Sequence, residues 1–274
     1  ENNPDLIVLF ISLEMPVKII YERMFRYKAN TSWDDLHINN TGDIQQAAEF
    51  MRSIQPRLHI YGKESCMNLT ADIVIDSINC IKKQLGLTRV FVCIDYLQVW
   101  PSPEEMNSDL ETDKWTIAQM QKISWAFPTD AVLVITEARK PSKGSAWGAE
   151  VSDIAGSGRI VYAVDGILQL VHFTDQNMLD LADLHSFSVN KSNERRYLRL
   201  FKEEFKYRES VLIYFSGTKC RDGMDKFEVI YEYHYKKNRF VPAVWKALGE
   251  TIQHIVSKLP VIESKEKKEK SAKD

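Results

Sequence analysis

Apolar residues in this chain follow two patterns, short unbroken runs and stripes spaced three and four residues apart. Two runs stand out, VLFISLEM (Val8–Met15) and RVFVCIDYLQVW (Arg89–Trp100), each holding four to six consecutive apolar residues with many β-branched side chains. Such runs predict fully buried strands. Each ends in a carboxylate, Glu14 for the first and Asp95 for the second. Pro16 suits the first position of a helix, and Val17, Ile20, Met24 and Tyr27 predict that helix to about Lys28. A polar loop (Ala29–Asp43) leads to a helix near Ile44–Ile54, ended by Pro56, and then to a short strand, Arg57–Tyr61. Thr70 can cap a helix with the stripe Val74, Ile78, Ile81 and Leu85, and Gly86 stops it. After the Asp95 strand come a Pro- and Glu-rich loop (Pro101–Asp109), a helix through Met120, Ile123 and Phe127, and an all-apolar strand, Ala131–Thr136. Strands alternating with helices at this spacing predict an α/β fold, a mostly parallel sheet joined by crossover helices.

The texture changes past Ala138. Arg139–Gly158 reads as a long Gly-, Ser- and Lys-rich loop with one helical turn at most, and Gly166–Phe173 as a further strand. Val211–Phe215 and Lys226–Tyr233 alternate as antiparallel strands around a turn at Gly217–Gly223. A last helix carries Val244, Leu248, Ile252, Ile255 and Leu259, and the Lys/Glu tail Glu263–Asp274 should be disordered. Trp115 and Trp125 sit at helical spacing and read as core or interface, Trp147 as a loop aromatic able to touch a ligand. Tyr231, Tyr233 and Tyr235 read as packing on one strand face. The chain opens inside a core strand, which leads us to expect an element ahead of it.

Composition narrows the class. With 274 residues and 44% hydrophobic content the chain can bury one sizeable core, or one domain with extensions. The formal net charge of −2 argues against a protein that coats nucleic acid. Cations do cluster at Arg139–Lys143, Arg195–Arg208 and Lys219–Arg239, although such runs are commonly solvated surface. Four cysteines (Cys66, Cys80, Cys93, Cys220) form no C-x-x-C pair, which points to reduced structural thiols rather than zinc. No run approaches the ~18 apolar residues of a membrane span, and no signal-peptide pattern opens the chain, so a cytoplasmic location is expected.

The strand-end carboxylates carry the chemistry. In a parallel α/β sheet ligands sit beyond the carboxyl ends of the strands. Glu14 and Asp95 are therefore placed to serve one site, one holding a metal and the other activating water, as in a nucleotide hydrolase. The plainer alternative is two solvating residues at strand ends.

FISLEM, VCIDYLQVW, VLVITEARK, SDIAGSGRIVYAVDGILQL and SGTKCRDG occur in that order. Together they resemble the successive motifs of the RecA-like motor domain of DnaB-type hexameric replicative helicases, from about Leu6 to Phe240. The resemblance implies a RecA-like core over residues 1–241, with a C-terminal helix (242–260) and a tail (261–274) appended. It implies that Glu14 polarises the attacking water and that Asp95 holds the Mg²⁺ of a bound ATP. Lys219 and Arg221 would reach into the neighbouring subunit's nucleotide site. Gln98 would act as a structural or relay residue beside the nucleotide, and Glu137 stands where the family has a glutamine that senses the γ-phosphate. Single-stranded DNA would be held by loops corresponding to Pro101–Asp109 and Arg139–Glu150, with Arg139, Lys140 and Lys143 on phosphates. Arg159 falls in a further DNA-facing stretch. The implied partners are copies of the chain in a ring, expected as a hexamer, and a primase or helicase loader.

Three departures matter. No G-x-x-x-x-G-K-[ST] phosphate cradle occurs in the 274 residues; Gly62-Lys63 lacks the earlier glycine, and Glu64 replaces the hydroxyl residue. Glu137 is a carboxylate where an amide is usual, and the first DNA loop is acidic (Glu104, Glu105, Asp109). Gln176–Tyr207 and the C-terminal helix exceed the family's minimal motor. Two other readings therefore stand beside the helicase: a degenerate RecA-like domain acting as a scaffold or interaction module, and a RecA-like ATPase acting on protein.

Overall fold

The computed structural model describes residues 3–32, 41–102, 108–137, 159–221 and 227–259. Its first sheet contains β1 (Leu6–Ser12), β2 (Leu58–Tyr61), β3 (Arg89–Asp95) and β4 (Ala131–Val134), in the order β2-β1-β3-β4. All three pairings are parallel, as the alternation of strands and helices predicts. One face is sealed: Ile7, Leu9 and Ile11 of β1 and Val90, Val92 and Ile94 of β3 pack with Val74, Ile78 and Ile81 of α3 (Ala71–Leu85) and with Met120 and Ile123 of α4 (Asp109–Ala126). The other face is only partly covered, since Val8, Phe10 and Phe91 are half-buried, so the unbroken apolar runs overstate burial there. β4 is an edge strand that leaves Leu133 exposed, and it ends at Val134 rather than Thr136.

Local signals set most helix ends. Thr70 caps α3 by accepting a hydrogen bond from the Ile73 amide at 3.4 Å, and Gly86 ends it in the left-handed region with φ +66°. α1 covers Val17–Ala29 and α2 covers Thr41–Ile54. Pro16 is the capping residue of α1, with extended ψ, rather than its first helical residue. Asp130, just before β4, ties the core elements together: its carboxylate accepts from Lys82 Nζ at 2.8 Å and from the Val90 amide at 3.1 Å. Trp115 of α4 packs against the core, but Trp125 is 73% exposed and takes no part in it.

A second sheet, antiparallel, has the order β5-β6-β7-β8, formed by Gly166–His172, Ser210–Cys220, Phe227–His234 and Arg239–Pro242. β6 runs well past Phe215, so Gly217 and Lys219 are strand residues instead of turn residues, and β8 was not foreseen. Phe227 fills the space where a Cβ on Gly217 would stand, which accounts for glycine within the strand. Tyr231 and Tyr233 pack on Phe240, whereas Tyr235 lies beyond the end of β7 and is exposed.

The chain divides into two units, one of residues 1–170, 215–228 and 236–239, the other of 171–214, 229–235 and 240–274. Strands β5, β6 and β7 contribute residues to both. The second unit has its own core, in which Leu181 of α6 (Asp175–Leu184), Tyr197, Phe201 and Phe205 of α7 (Glu194–Tyr207) and Ile252 and Ile255 of α8 (Trp245–Ser257) are buried. The buried Tyr197 hydroxyl donates to the Met178 carbonyl at 3.1 Å, joining α7 to α6. The segment Gln176–Tyr207 is thus two packed helices. Among the described residues no helix is long and apolar enough to cross a membrane. The tail expected to be disordered, and Trp147, lie outside the described residues.

Candidate active site

β1 and β3 run in register, Ser12 opposite Asp95, so the two carboxylate-bearing segments leave the sheet at the same level. The Leu13 amide donates to the Asp95 carbonyl at 2.6 Å, extending the pairing one residue past β1. The chain then turns: the Met15 amide donates to Oγ of the fully buried Ser12 at 3.0 Å. That turn leaves Glu14 exposed, two residues beyond the strand rather than closing it, and beside Asp95. Burial raises the Asp95 carboxyl above its ordinary range, the nearby Glu14 charge raises it further, and the Arg23 guanidinium opposes both. Arg23, an exposed residue of α1, is therefore the third charge of the site. Reasoning from the sequence passed over it, and its only signal was a position one helical turn after the buried Ile20.

The other side of this edge is held by Glu64, in the short 3₁₀ turn Lys63–Ser65 after β2. Its carboxylate accepts from the Val17 amide at 3.3 Å, so it occupies the positive N-terminal end of α1. A Cβ on Gly62 would lie 2.7 Å from the Val17 nitrogen. Gly62-Lys63 is accordingly a close backbone approach to α1, with a carboxylate where a phosphate cradle would need open amides.

Gln98 lies just beyond β3 and joins its exit to that of β4. Its Nε2 donates to Thr136 Oγ1 at 2.6 Å, and its Oε1 accepts from the Glu137 amide at 3.3 Å. This bridge sets the backbone position of Glu137, whose side chain is exposed. The Asp95–Tyr96 peptide, between Asp95 and this bridge, is cis.

Lys219 and Arg221 belong to a different cluster. Lys219 Nζ donates to the carbonyls of Val164, at 2.9 Å, and Val161. Arg221 donates to the Tyr162 carbonyl and pairs with Asp165 at 3.3 Å. Both cations thus gather on the C-terminal end of α5 (Arg159–Ala163) and the residues after it, where free carbonyls favour positive charge. Arg159 opens α5, but its side chain is outside the described residues, as are Arg139, Lys140 and Lys143 entirely.

Chemically, Glu14 and Asp95 form a pair of adjacent carboxylates at a strand edge with one cation nearby. A hard divalent ion such as Mg²⁺ suits this donor set, because it is ordinarily held by one or two carboxylates together with phosphate oxygens and water. Among the described residues no group of three His, Cys, Asp or Glu could hold a metal ion by itself. The residues present fit the metal and water side of an ATP site. They do not fit its phosphate side, since the sequence contains no cradle.

No family model matches this sequence, and no curated protein matches it. Among solved structures it is similar to an isolated ATPase domain of a DnaB-like replicative helicase, with a TM-score of 0.63 at 16% sequence identity, over 88% of this chain and 76% of that one. It is also similar to a second DnaB-like replicative helicase, whose structure was described with its interactions with primase, with a TM-score of 0.58 at 17% identity. That match covers 87% of this chain and 52% of the other, so this chain spans about half the helicase's length. The chain has the RecA-like fold of the ATPase domain of DnaB-like replicative helicases.

Proposed function

We propose that this chain is the motor domain of an ATP-dependent, DnaB-like DNA helicase that moves on single-stranded DNA. The observation that carries this reading is the Ser12–Asp95 register, which brings Glu14 and Asp95 together at the carboxyl edge of the parallel sheet. In this role Asp95 holds Mg²⁺, whose charge offsets that of the phosphates during phosphoryl transfer. Exposed Glu14 accepts a hydrogen bond from the attacking water, and Arg23 limits the repulsion between the two carboxylates. Gln98 fixes the segment that carries Glu137. Lys219 and Arg221 complete the site of an adjacent copy in a ring, and Arg139, Lys140, Lys143 and Arg159 bind DNA phosphates. A primase or loader is the expected partner.

The missing phosphate cradle favours a second reading, a RecA-like interaction module without ATPase activity. One experiment separates the two. The reading frame on the N-terminal side of Glu1 is sequenced for G-x-x-x-x-G-K-[ST], and ATP turnover of the encoded protein is measured with and without Glu14→Gln. The motor reading expects the cradle, turnover, and its loss by roughly 10²-fold or more in the variant with nucleotide binding retained, the scale of removing a positioned general base. A frame without the cradle and a protein without turnover leave the module.

A further inference from the structure

α7 is sharply two-sided. Tyr197, Phe201 and Phe205 are buried, while Arg195, Arg199, Lys202 and Lys206 follow at spacings of four, three and four and share the opposite, exposed face. These four cations, with Leu198, Glu203 and Asp175 of α6, line an open groove of about 390 Å³. Two of them have acidic neighbours, Lys202 with Asp175 at 2.6 Å and Arg199 with Glu203 at 3.7 Å, all four side chains being solvent-exposed. Exposed pairs of this kind contribute only about 0.2–1 kcal/mol and yield readily to a stronger anion. Arg195 and Lys206, at the two ends of the row, have no acidic partner among the described residues. The groove lining carries four positive and two negative side chains, although the whole chain is at −2.

We propose that this row is a docking surface for the phosphate backbone of single-stranded nucleic acid, separate from the loops assigned to DNA above. The row is straight and stiff: α7 is anchored to α6 by Tyr197, and Arg208 at its end donates to Thr251 of α8 at 2.9 Å. Arg195 and Lys206 stand eleven residues apart, about 16 Å along the helix axis. One anion cannot engage both, whereas a polymer with phosphates repeating every few ångströms engages the whole row. Tyr207, the residue after Lys206, is 88% exposed and offers a ring on which a base can stack. Cations along a groove with an exposed aromatic at its end are the usual chemistry of binding without sequence preference. No nucleotide hydrolysis is involved, so the proposal stands whether or not the chain is an ATPase.

The test is fluorescence anisotropy of a labelled oligothymidylate of about a dozen nucleotides, titrated with the 274-residue chain without ATP across a range of salt. Arg195→Gln/Lys206→Gln should weaken binding on the order of tenfold and reduce the slope of log K against log salt by about 1.4, about 0.7 for each lost phosphate contact. Arg195→Lys/Lys206→Arg, which keeps both charges, should bind as the parent does, and equal melting temperatures show that the fold is intact. Unchanged affinity and slope in the Gln variant would overturn the proposal and leave DNA binding to Arg139, Lys140 and Lys143. Displacement of the oligonucleotide by polyglutamate at equal charge would also overturn it, assigning the row to an acidic protein.

Discussion

Asp95 carries the main electrostatic cost in the candidate site. Burial and the neighbouring Glu14 both disfavour its charged form, and Arg23 restores only part of the balance. Its folded-state pKa is raised, so between the ordinary aspartate range and the raised value the folded chain binds more protons than the unfolded chain. Stability attributable to this group therefore falls as pH rises through that window, and the penalty is complete above the raised value. Asp95→Asn removes the penalty. We expect the variant to melt higher than the parent at neutral pH, on the order of 1–2 °C for a chain of this size. The difference should vanish as pH falls below the ordinary aspartate range, and Arg23→Gln should move the window upward. Thermal melts at closely spaced pH values check this; a variant that melts lower at neutral pH would show that the Asp95 carboxylate is a net structural support. In sequence, Glu14 and Asp95 were legible because each follows an apolar run. Arg23 was not, because its place beside Asp95 depends on how α1 returns over the strand ends.

At the scale of elements, Asp130 links three of them. It receives Lys82 from α3 and the Val90 amide from β3, and its own position precedes β4. Its side chain is 4% exposed and that of Lys82 18%, and the ammonium also sits over the Phe127 ring, 4.6 Å from its centre. Asp130→Ala leaves a nearly buried cation and an amide without their acceptor, a loss of about 3–5 kcal/mol. Urea unfolding at neutral pH measures it; a loss below about 1 kcal/mol would mean that the pair behaves as an exposed one. This link was not legible beforehand, since nothing local marks Asp130 apart from a turn after Pro128. Elements with local punctuation were legible, as α3 shows between Thr70 and Gly86. Where the pattern was ambiguous, packing decided: α4 has apolar residues around its circumference, so its sequence does not reveal that Trp115 packs and Trp125 is exposed. β6 outran its expected end because Gly217 read as a turn, although Phe227 occupies the place of its missing Cβ.

For the whole molecule the arrangement of charges sets the last expectation. Glu14 and Asp95 lie at the carboxyl edge of the first sheet, whereas the hydrogen bonds of Lys219 and Arg221 run to Val161–Asp165. The carbonyls and Asp165 orient this pair, yet the Arg221 side chain remains about half exposed. A cation held in this way is preorganised to meet a neighbour, and head-to-tail contacts that close into a ring would present it to the next copy. If the site is shared, a protomer with Arg221→Ala and one with Glu14→Gln are each inactive alone, but each keeps the half that the other lacks. In a random equal mixture about a quarter of head-to-tail interfaces combine the two intact halves. Turnover in the protein that carries the phosphate cradle should then reach up to about a quarter of the parent value at equal mixing and fall on either side. An absence of recovery at every ratio, with mixed assembly verified, would place Arg221 outside the shared site and leave its grip on α5 as its role.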